Sequence, residues 1–530
     1  MMSVLTGKNR IGDTDSQGNG RTFQAINPAT NQPLDTHFYE ASYEDVEKAL
    51  ILATHAFDCY RQKTPQEISA FLAKIAEEIE QLGQDFITRA TNETGLPNDR
   101  IQAERARTVN QLKMFSRLVA EGSWVNACID HAIPDRKPLP KPDLRRMLVP
   151  IGPVVVFGAS NFPLAYSVAG GDSASALAAG NPIIIKAHPS HPGTSEYVAD
   201  AIDRAVTVCG MPNGIFSMLH GGAGNEIGMA LVKHPATKAV GFTGSLRGGR
   251  ALFDAAASRP EPIPVYAEMG SVNPIFILPN ALMERGTQLA EEFYKSATAS
   301  GGQFCTNPGL VFGVSGKELT AFSNTVAKYM ESTPPFTMLN KGIQEAFVHG
   351  VDQLKNISGV TQLVNTQEKA SSEKTQGTAT LFTTSLNAFL RNNALKHEVF
   401  GACSVIVYCE SVTQLVEIAR HLEGQLTATV HATEKELAEQ SELLSILRTK
   451  VGRIIINGFS TGLEVCASTV HGGPYPATTD ARMTSVGALA IERFTRPVCF
   501  QNFPQSALPD QLKDENPLRI WRKVDDEFKR

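Results

Sequence analysis

The first third of the chain has apolar residues that recur at helical spacing. Thr64-Pro65-Gln66-Glu67 forms a capping box with proline at the first helical position, which predicts a helix that ends near Gly83. A second helix is predicted from about Asp99 to Ala120, because its apolar residues return every three or four positions. The pattern therefore predicts a helical N-terminal third.

From Met147 onward, short apolar runs alternate with helical segments. Five runs predict buried strands: Val154–Gly158, Pro182–Lys186, Ile215–Leu219, Lys238–Phe242 and Pro264–Ala267. A helix from Thr194 to Cys209 lies between the second and third runs. This alternation predicts a doubly wound parallel sheet. It resumes from Leu282 to Ile456, which predicts a second α/β domain.

Composition narrows the class of protein. The chain has 530 residues, of which 42% are apolar and 19% charged, so two or three well-packed domains are expected. A net charge of −5 argues against nucleic acid or a membrane surface as a partner. No apolar run predicts a signal peptide, and prolines interrupt the apolar stretch Met147–Ala169. The eight cysteines are scattered without metal-ligand spacing, which predicts a cytoplasmic protein without a metal site.

One cysteine stands in a sequence that suits nucleophilic catalysis. Cys305 lies in the glycine-rich run Ser300–Gly309, and Glu268 follows the last predicted strand of the first sheet. A thiol and a separate carboxylate are what acyl transfer through a thioester requires, because the carboxylate can activate the water that ends the intermediate. The alternative is a structural cysteine, which the flanking glycines and Asn307-Pro308 disfavour.

Two further features suggest a nucleotide site, although each is weak alone. The turn Gly221–Gly228 follows the third predicted strand and leads into a helix, an arrangement in which backbone N–H groups can approach a phosphate. Lys186 ends the second predicted strand, at the edge where open α/β sheets bind ligands. A plain tight turn and a solvated lysine are the alternatives.

Taken together, these motifs resemble the NAD(P)-dependent aldehyde dehydrogenase superfamily over nearly the whole chain. The matching segments follow the order of that family: Ala159–Pro163, Lys186, Phe242–Ser245, Glu268, Cys305 and Glu398–Gly401. The resemblance implies an α/β fold with a doubly wound cofactor domain, a second α/β catalytic domain and a small β arm for oligomerisation. Residues 1–130 and 151–268 would form the cofactor domain, and 269–485 the catalytic domain. Residues 131–150 and 486–505 would form the arm, and 506–530 a C-terminal tail.

The resemblance also implies roles for individual residues. Cys305 would attack the aldehyde, the Asn161 amide would hold the oxyanion, and Glu268 would activate water. Lys186 and Glu398 would bind the two riboses of the dinucleotide. The other cofactor residues would be Ser190, Gly224, Gly228, Phe242, Thr243, Gly244, Ser245 and Phe400, and Phe162 and Phe304 would line the substrate site.

Departures from the commonest family pattern point to a subgroup. The segment Val470–Asp480 and the C-terminal run Arg496–Pro504 resemble α-ketoglutarate semialdehyde dehydrogenases and the related NADP-dependent fatty aldehyde dehydrogenases. Within that segment, His471 would either tune Cys305 or the substrate, or serve the loop alone. The expected reaction is 2,5-dioxopentanoate to 2-oxoglutarate, in sugar acid catabolism. Long-chain aldehydes are the alternative substrates.

Cofactor choice and substrate charge depend on single positions. Members that prefer NAD usually carry a glutamate three residues after the ribose lysine, and Pro189 stands there instead, so NADP is expected with NAD also used. Arg107, on the second predicted helix, is the candidate partner for a substrate carboxylate. A surface arginine in an i,i+4 pair is its alternative. We expect a homodimer or a homotetramer, built through the arm.

Other classes of protein use only part of this set. A thiol hydrolase of the Cys–His type would need Cys305 and His471 but not Lys186 or Glu398. Dehydrogenases that transfer the acyl group to coenzyme A generally lack the glutamate found here as Glu268. A non-catalytic relative would be expected to have lost Cys305, Glu268 or Asn161, and all three are present.

Overall fold

The computed structural model describes residues 5–222 and 224–530, so Ala223 of the glycine turn lies outside the described residues. The first of its two seven-stranded sheets contains all five strands predicted from the apolar runs. Its strands, in spatial order, are Val265–Glu268, Ala239–Thr243, Val154–Phe157, Ile183–Lys186, Phe216–Leu219, Asn9–Ile11 and Thr14–Ser16. The first five are mutually parallel. The predicted doubly wound sheet is confirmed.

Two strands of this sheet come from a part of the chain predicted to be helical. Asn9–Ile11 pairs antiparallel with Phe216–Leu219, and Thr14–Ser16 pairs with Asn9–Ile11. The strands Thr22–Asn27 and Gln32–Tyr39 form a separate hairpin. The prediction of a helical N-terminal third was therefore wrong for residues 9–39. These short strands carry mixed polar residues, so no apolar run marks them.

The helices cover both faces of the first sheet. The predicted capping box opens Pro65–Glu80, where Thr64 and Glu67 bond each other's backbone N–H groups. The helices between the N-terminal strands and the last strand of the sheet are Tyr43–Tyr60, Pro65–Glu80, Gln84–Thr94, Asn98–Glu121, Gly171–Ala178, Pro192–Cys209, Glu226–Lys233 and Leu246–Ala257. Two large apolar clusters, one on each face, hold the helices to the sheet.

The second seven-stranded sheet forms the other α/β unit. Its strands, in spatial order, are Val360–Gln362, Thr380–Ser385, Cys403–Cys409, Leu310–Val314, Ile275–Ile277, Gln425–His431 and Val451–Ile456. All are parallel except the first. Its α-helices are Pro279–Thr298, Lys317–Glu331, Lys341–Lys355, Leu386–Arg391, Val412–His421, Glu434–Glu439 and Ser441–Leu447. This unit begins after Glu268, the last residue of the first sheet.

A five-stranded sheet projects from these two units. Its strands are Thr495–Gln501, Leu144–Pro150, Cys128–Asp130, Arg522–Val524 and Glu527–Lys529. The first two pair antiparallel along seven residues, and both belong to the predicted arm. The last two lie in the segment predicted as a tail, and Arg522–Val524 pairs parallel with Cys128–Asp130. The end of the chain thus completes the arm sheet. None of the helices in the described residues has the length and apolar character needed to cross a membrane.

Candidate active site

Cys305 lies in a turn that enters the second sheet. A short 3₁₀ helix, Ala299–Gly302, precedes it, and the strand Leu310–Val314 follows. Gly302 has a φ of +70°, and a Cβ on it would lie 2.3 Å from the backbone nitrogen of Ala402. Only glycine fits at this close approach. The Asn273 side chain then fixes the turn by donating to the carbonyls of Cys305 at 2.8 Å and Asn307 at 2.9 Å.

The thiol lies beside a buried carboxylate and a buried imidazole. The Nε2 atom of His471 is 3.4 Å from Cys305 Sγ and 3.1 Å from Glu268 Oε2. The thiol sulfur, one imidazole nitrogen and one carboxylate oxygen all lie within 4.8 Å of one another. Ser485 Oγ donates to Glu268 Oε2 at 2.9 Å, while Glu268 Oε1 is buried without a partner among the described residues. This arrangement can pass a proton from the thiol to the imidazole or the carboxylate.

The charges of the cluster follow from burial and contact. Burial and the Glu268 carboxylate raise the pKa of Cys305 well above its usual range. Burial also raises the pKa of Glu268, but the His471 imidazole and the hydrogen bonds from Cys305 and Ser485 outweigh burial and hold it below its usual value. The resting pair is therefore a thiol and a carboxylate. The thiolate must form by proton transfer within the cluster.

Two N–H donors close to Cys305 are available to hold an oxyanion. Asn161 Nδ2 donates to the backbone carbonyl of Gln303 at 3.2 Å. Because a side-chain amide has two N–H donors, one remains for a ligand. The backbone N–H of Cys305 donates no hydrogen bond within residues 5–222 and 224–530. The Gln303 carbonyl, two residues before the nucleophile, thus holds the Asn161 amide next to the catalytic turn.

Aromatic side chains surround Arg107 close to Cys305. The Phe162 ring lies 5.6 Å from that of Phe304 and 5.0 Å from that of Tyr166, measured between centroids. The Arg107 guanidinium lies 5.4 Å from the rings of Phe162 and Tyr166, and its Nη2 donates to the Tyr166 hydroxyl at 3.1 Å. Arg107 forms no ion pair with a carboxylate of the described residues. The i,i+4 pair on this helix is Arg100–Glu104 instead.

The predicted ribose lysine lies at the carboxyl end of its strand, as expected. Burial lowers the pKa of Lys186 to about 8, and the Glu40 carboxylate acts in the opposite direction. Lys186 Nζ donates to the Gly221 carbonyl across 3.4 Å. A Cβ on Gly222 would lie 2.0 Å from Glu40 Oε1. The glycine turn therefore packs directly against the Lys186 side chain and the Glu40 carboxylate.

The glycine turn continues into a short helix. Gly224 precedes the helix Glu226–Lys233 by two residues. Gly228 lies within that helix, where a Cβ would come 3.0 Å from the Phe157 ring, so the helix packs closely on the sheet. Ser190 lies on the other side of Lys186, and its Oγ accepts a hydrogen bond from Asn340 Nδ2 at 3.1 Å.

The predicted nicotinamide segment follows the strand Ala239–Thr243. The backbone N–H of Gly244 donates to the Glu268 carbonyl at 3.0 Å, and Ser245 caps the helix Leu246–Ala257. Phe242 packs beneath this turn, since a Cβ on Gly244 would meet its ring at 2.7 Å. Thr243 Oγ1 is buried without a hydrogen-bond partner among the described residues. The turn after this strand is therefore held against the backbone of Glu268.

Glu398 and Phe400 line a cavity behind the catalytic turn, with Gly302 and Phe304. Burial raises the pKa of Glu398 to about 8, although a backbone hydrogen bond from Ser271 lowers it. A Cβ on Gly270 would lie 2.3 Å from Glu398 Oε2, so Glu398 reaches across toward the Glu268 strand. Both predicted residues thus border the same region as Cys305.

These residues fit a bound dinucleotide. Lys186 is a buried donor with one long hydrogen bond, and Thr243 Oγ1 has no partner, so both can bind hydroxyl or phosphate oxygens. The donor and acceptor types suit ribose and pyrophosphate.

Sequence reasoning missed several residues that support the site. Asn273 holds the catalytic turn, Ser485 holds Glu268, Tyr166 binds Arg107, and Glu40 borders Lys186. Each is joined to its partner across 32 or more positions of sequence, and Tyr166 and Arg107 are 59 apart. Asn273 alone carried a local signal, because it follows Glu268 by a short segment rich in small residues.

Comparison with known proteins agrees with this geometry. The model of the "Aldehyde dehydrogenase family" matches residues 14–479. The chain is 50% identical over 521 residues to "Alpha-ketoglutaric semialdehyde dehydrogenase 2" of Azospirillum brasilense, covering 98% of both chains. It is 44% identical over 524 residues to "Alpha-ketoglutaric semialdehyde dehydrogenase" of Acinetobacter baylyi, covering 99% of both.

Solved structures share the fold at lower identity. An aldehyde dehydrogenase from Bacillus cereus in complex with NAD⁺ superposes with a TM-score of 0.79 at 23% identity, covering 93% of this chain and 96% of that one. A betaine aldehyde dehydrogenase from Staphylococcus aureus in complex with NAD⁺ gives 0.80 at 20% identity, covering 94% and 98%. At these identities the likeness establishes the fold.

Proposed function

This chain belongs to the aldehyde dehydrogenase family, and we propose that it oxidises 2,5-dioxopentanoate (α-ketoglutaric semialdehyde) to 2-oxoglutarate through a thioester on Cys305. The family assignment makes it an NAD(P)-dependent oxidoreductase that acts on aldehydes. The substrate proposal is supported by the names of the two curated relatives. It is supported independently by the positive charge of Arg107, which lies against the rings of Phe162 and Tyr166.

Acylation begins with the loss of the Cys305 proton. His471 Nε2, at 3.4 Å, is positioned to accept that proton, and Glu268 at 3.1 Å from His471 stabilises the imidazolium that results. The thiolate attacks the aldehyde carbon. The free N–H of Asn161 and the Cys305 backbone N–H then donate to the oxyanion, and loss of one such donor typically costs about 10²–10³ in rate.

The dinucleotide would be held along the carboxyl ends of the first sheet. Lys186 would bind the adenosine ribose and Glu398 the nicotinamide ribose, with Ser190, Gly224 and Gly228 at the phosphate side. Phe242, Thr243, Gly244, Ser245 and Phe400 would hold the nicotinamide end. When bound, the nicotinamide ring accepts the hydride that leaves the aldehyde carbon.

Hydrolysis of the thioester requires a base. Glu268 is a carboxylate at rest, and its Oε1 atom has no partner among the described residues, so it can accept a proton from water. Ser485 keeps the other oxygen in place. His471 serves both halves of the reaction, because its one ring nitrogen contacts the thiol and the carboxylate.

The observation that carries the substrate proposal is the Arg107 guanidinium. It is half-buried against the rings of Phe162 and Tyr166 and pairs directly with no carboxylate of the described residues, whereas the neighbouring Arg100 is paired with Glu104. Its buried Nε atom also has no hydrogen-bond partner among the described residues, so the guanidinium has donors left for a carboxylate. An anionic substrate supplies the counterion, and 2,5-dioxopentanoate carries one carboxylate at the end remote from its aldehyde.

We propose that both dinucleotides are used and that NADP is preferred. Pro189 stands where a carboxylate would repel the 2′-phosphate. The structure adds a qualification to this argument, because Glu40 from the N-terminal hairpin lies near Lys186. That carboxylate is neutralised by Arg21, with 3.1 Å between Nε and Oε2. We also propose a homodimer or homotetramer in the cytoplasm, which the eight free cysteines support.

Steady-state kinetics tests the substrate proposal directly. We expect kcat/KM for 2,5-dioxopentanoate to exceed that for hexanal by about 10-fold or more, because one charge-assisted hydrogen bond contributes about 1.5–3 kcal/mol. Each substrate is assayed with NAD and with NADP. A preference for hexanal or longer alkyl aldehydes would replace the proposal with the fatty aldehyde alternative. Ester cleavage without any dinucleotide-dependent aldehyde oxidation would point to a thiol hydrolase.

A further inference from the structure

The Tyr166 hydroxyl is hydrogen-bonded to Arg107, the proposed partner of the substrate carboxylate. Tyr166 is 7% exposed and packs in an apolar cluster with Phe162 and Val486. Its hydroxyl oxygen accepts one hydrogen bond, from Arg107 Nη2 at 3.1 Å. The ring centroid lies 6.3 Å from that of His471, whose Nε2 contacts the Cys305 thiol. Tyr166 therefore adjoins both the Arg107 guanidinium and the imidazole that contacts the reacting sulfur.

The proton of this hydroxyl has no acceptor. Within residues 5–222 and 224–530, no hydrogen bond is formed in which Tyr166 donates from its side chain. Burial raises the pKa of Tyr166, so the hydroxyl stays protonated and the donor is always present. Because Arg107 points a donor at the oxygen lone pair, the O–H bond is directed away from Arg107. A buried O–H donor without an acceptor is costly unless a ligand supplies the acceptor.

We propose that Tyr166 is a specificity-determining residue that donates a hydrogen bond to the 2-oxo oxygen of the substrate, while Arg107 binds the adjacent carboxylate. This inference rests on the function proposed above. The Tyr166 hydroxyl and the Arg107 guanidinium are neighbours in the structure, as the oxo and carboxylate groups are neighbours in a 2-oxo acid. Together they distinguish a 2-oxo acid semialdehyde from a plain ω-oxo acid.

The order of the groups in the substrate agrees with this placement. Four C–C bonds of about 1.5 Å separate the aldehyde carbon from the carboxylate carbon, so the extended chain spans roughly 5 Å. The 2-oxo oxygen is one carbon closer to the sulfur than the carboxylate. The Tyr166 ring lies 5.4 Å from the Arg107 guanidinium and 6.3 Å from the His471 ring, so Tyr166 adjoins both. The protein groups thus follow the same order as the substrate groups.

The matched comparison is between 2,5-dioxopentanoate and 5-oxopentanoate. The second compound has the same chain length, aldehyde and carboxylate but lacks the 2-oxo group. We expect the wild-type enzyme to prefer 2,5-dioxopentanoate by about 10-fold in kcat/KM, the effect of one buried hydrogen bond. In Tyr166→Phe, kcat/KM for 2,5-dioxopentanoate should fall by about the same factor. The value for 5-oxopentanoate should change by less than about twofold.

Controls separate recognition from folding and from the position of Arg107. Hexanal turnover in Tyr166→Phe reports on the integrity of the catalytic cluster. Tyr60→Phe removes another buried hydroxyl, one that donates to the Leu177 carbonyl at 2.9 Å instead of contacting Arg107. This variant should leave kcat/KM for all three substrates unchanged.

Three outcomes would overturn the inference. An equal loss for both anionic substrates would mean that Tyr166 only positions Arg107. Equal wild-type efficiency for the two anions would mean that the 2-oxo group is not recognised. Unchanged discrimination in Tyr166→Phe would assign recognition to another group. In each case oxidation of 2,5-dioxopentanoate would still stand, whereas its absence in the wild type would contradict the proposed function itself.

Discussion

The Nε2 atom of His471 lies 3.4 Å from the Sγ atom of Cys305. The same nitrogen is 3.1 Å from Glu268 Oε2, and a single ring nitrogen carries at most one proton. When that proton is present, it can bond the carboxylate or the sulfur but not both. The imidazole is therefore placed to relay the thiol proton toward Glu268. Sequence reasoning left this histidine between a catalytic and a structural role.

Cys305→Ala should abolish aldehyde oxidation, because no other described cysteine lies beside the Glu268–His471 pair. The Cys305 side chain does not support the turn, which Asn273 holds through backbone carbonyls. We therefore expect unchanged thermal unfolding and dinucleotide binding, measured by calorimetry. Cys466→Ala, at an exposed position, is the control. Residual turnover in Cys305→Ala would exclude the thioester mechanism.

Glu268→Gln should separate the two half-reactions. The thiol can still be deprotonated by His471, but water loses its base. We expect one equivalent of reduced dinucleotide per active site in a rapid-mixing burst, followed by steady turnover reduced about 10²-fold or more. Mass spectrometry should detect the acyl-enzyme. Glu261→Gln, at an exposed position, should behave as wild type, and a missing burst in Glu268→Gln would assign the carboxylate a different role.

His471→Asn should shift the pH dependence of kcat. In the wild type, the imidazole holds the pKa of Glu268 below its usual range, so the ionised base is present above that low pKa. Removing the imidazole leaves burial to raise the pKa of Glu268. As the pH is lowered, the variant should then lose activity at a higher pH than the wild type does. The exposed His421→Asn is the control. If the acidic side of the kcat–pH profile did not shift, His471 would have only a structural role.

Arg107→Leu should act on anionic substrates alone. Loss of one charge-assisted hydrogen bond predicts a rise of about 10- to 100-fold in KM for 2,5-dioxopentanoate, with little change for hexanal. Arg117 lies on the exposed face of the same helix. Arg117→Leu is therefore the control and should leave KM for both substrates unchanged. If both substrates lost affinity equally, Arg107 would serve to hold the rings of Phe162 and Tyr166 in place rather than to bind the carboxylate.

The arm should join copies of the chain. The strand Thr495–Gln501 forms an edge of its sheet, and Leu139 in the same arm is 70% exposed. Exposed edges and apolar side chains are typical of surfaces that another chain covers. Light scattering at micromolar concentration should give the mass of a dimer or tetramer. Leu139→Glu should weaken association, and a monomeric wild type would contradict this prediction.

Local patterns in the sequence were sufficient to predict the five parallel strands, the capped helix Pro65–Glu80 and the second α/β unit. Buried parallel strands need continuous apolar runs, and a capping box occupies four adjacent residues, so these signals are local. The candidate nucleophile and base were also predicted, because Cys305 and Glu268 stand in short segments with distinctive neighbours. Their family resemblance added the order of the motifs.

Tertiary structure alone decided which distant residues meet. The polar strands Asn9–Ile11 and Arg522–Val524 gain their places through pairing with strands far along the chain, and no apolar pattern marks them. The contacts of His471 with Cys305 and of Tyr166 with Arg107 join residues 166 and 59 positions apart. A pairwise distance across such separations depends on how helices and sheets pack, which local periodicity does not encode. The chemistry of the residues was thus readable from the sequence, and their geometry required the fold.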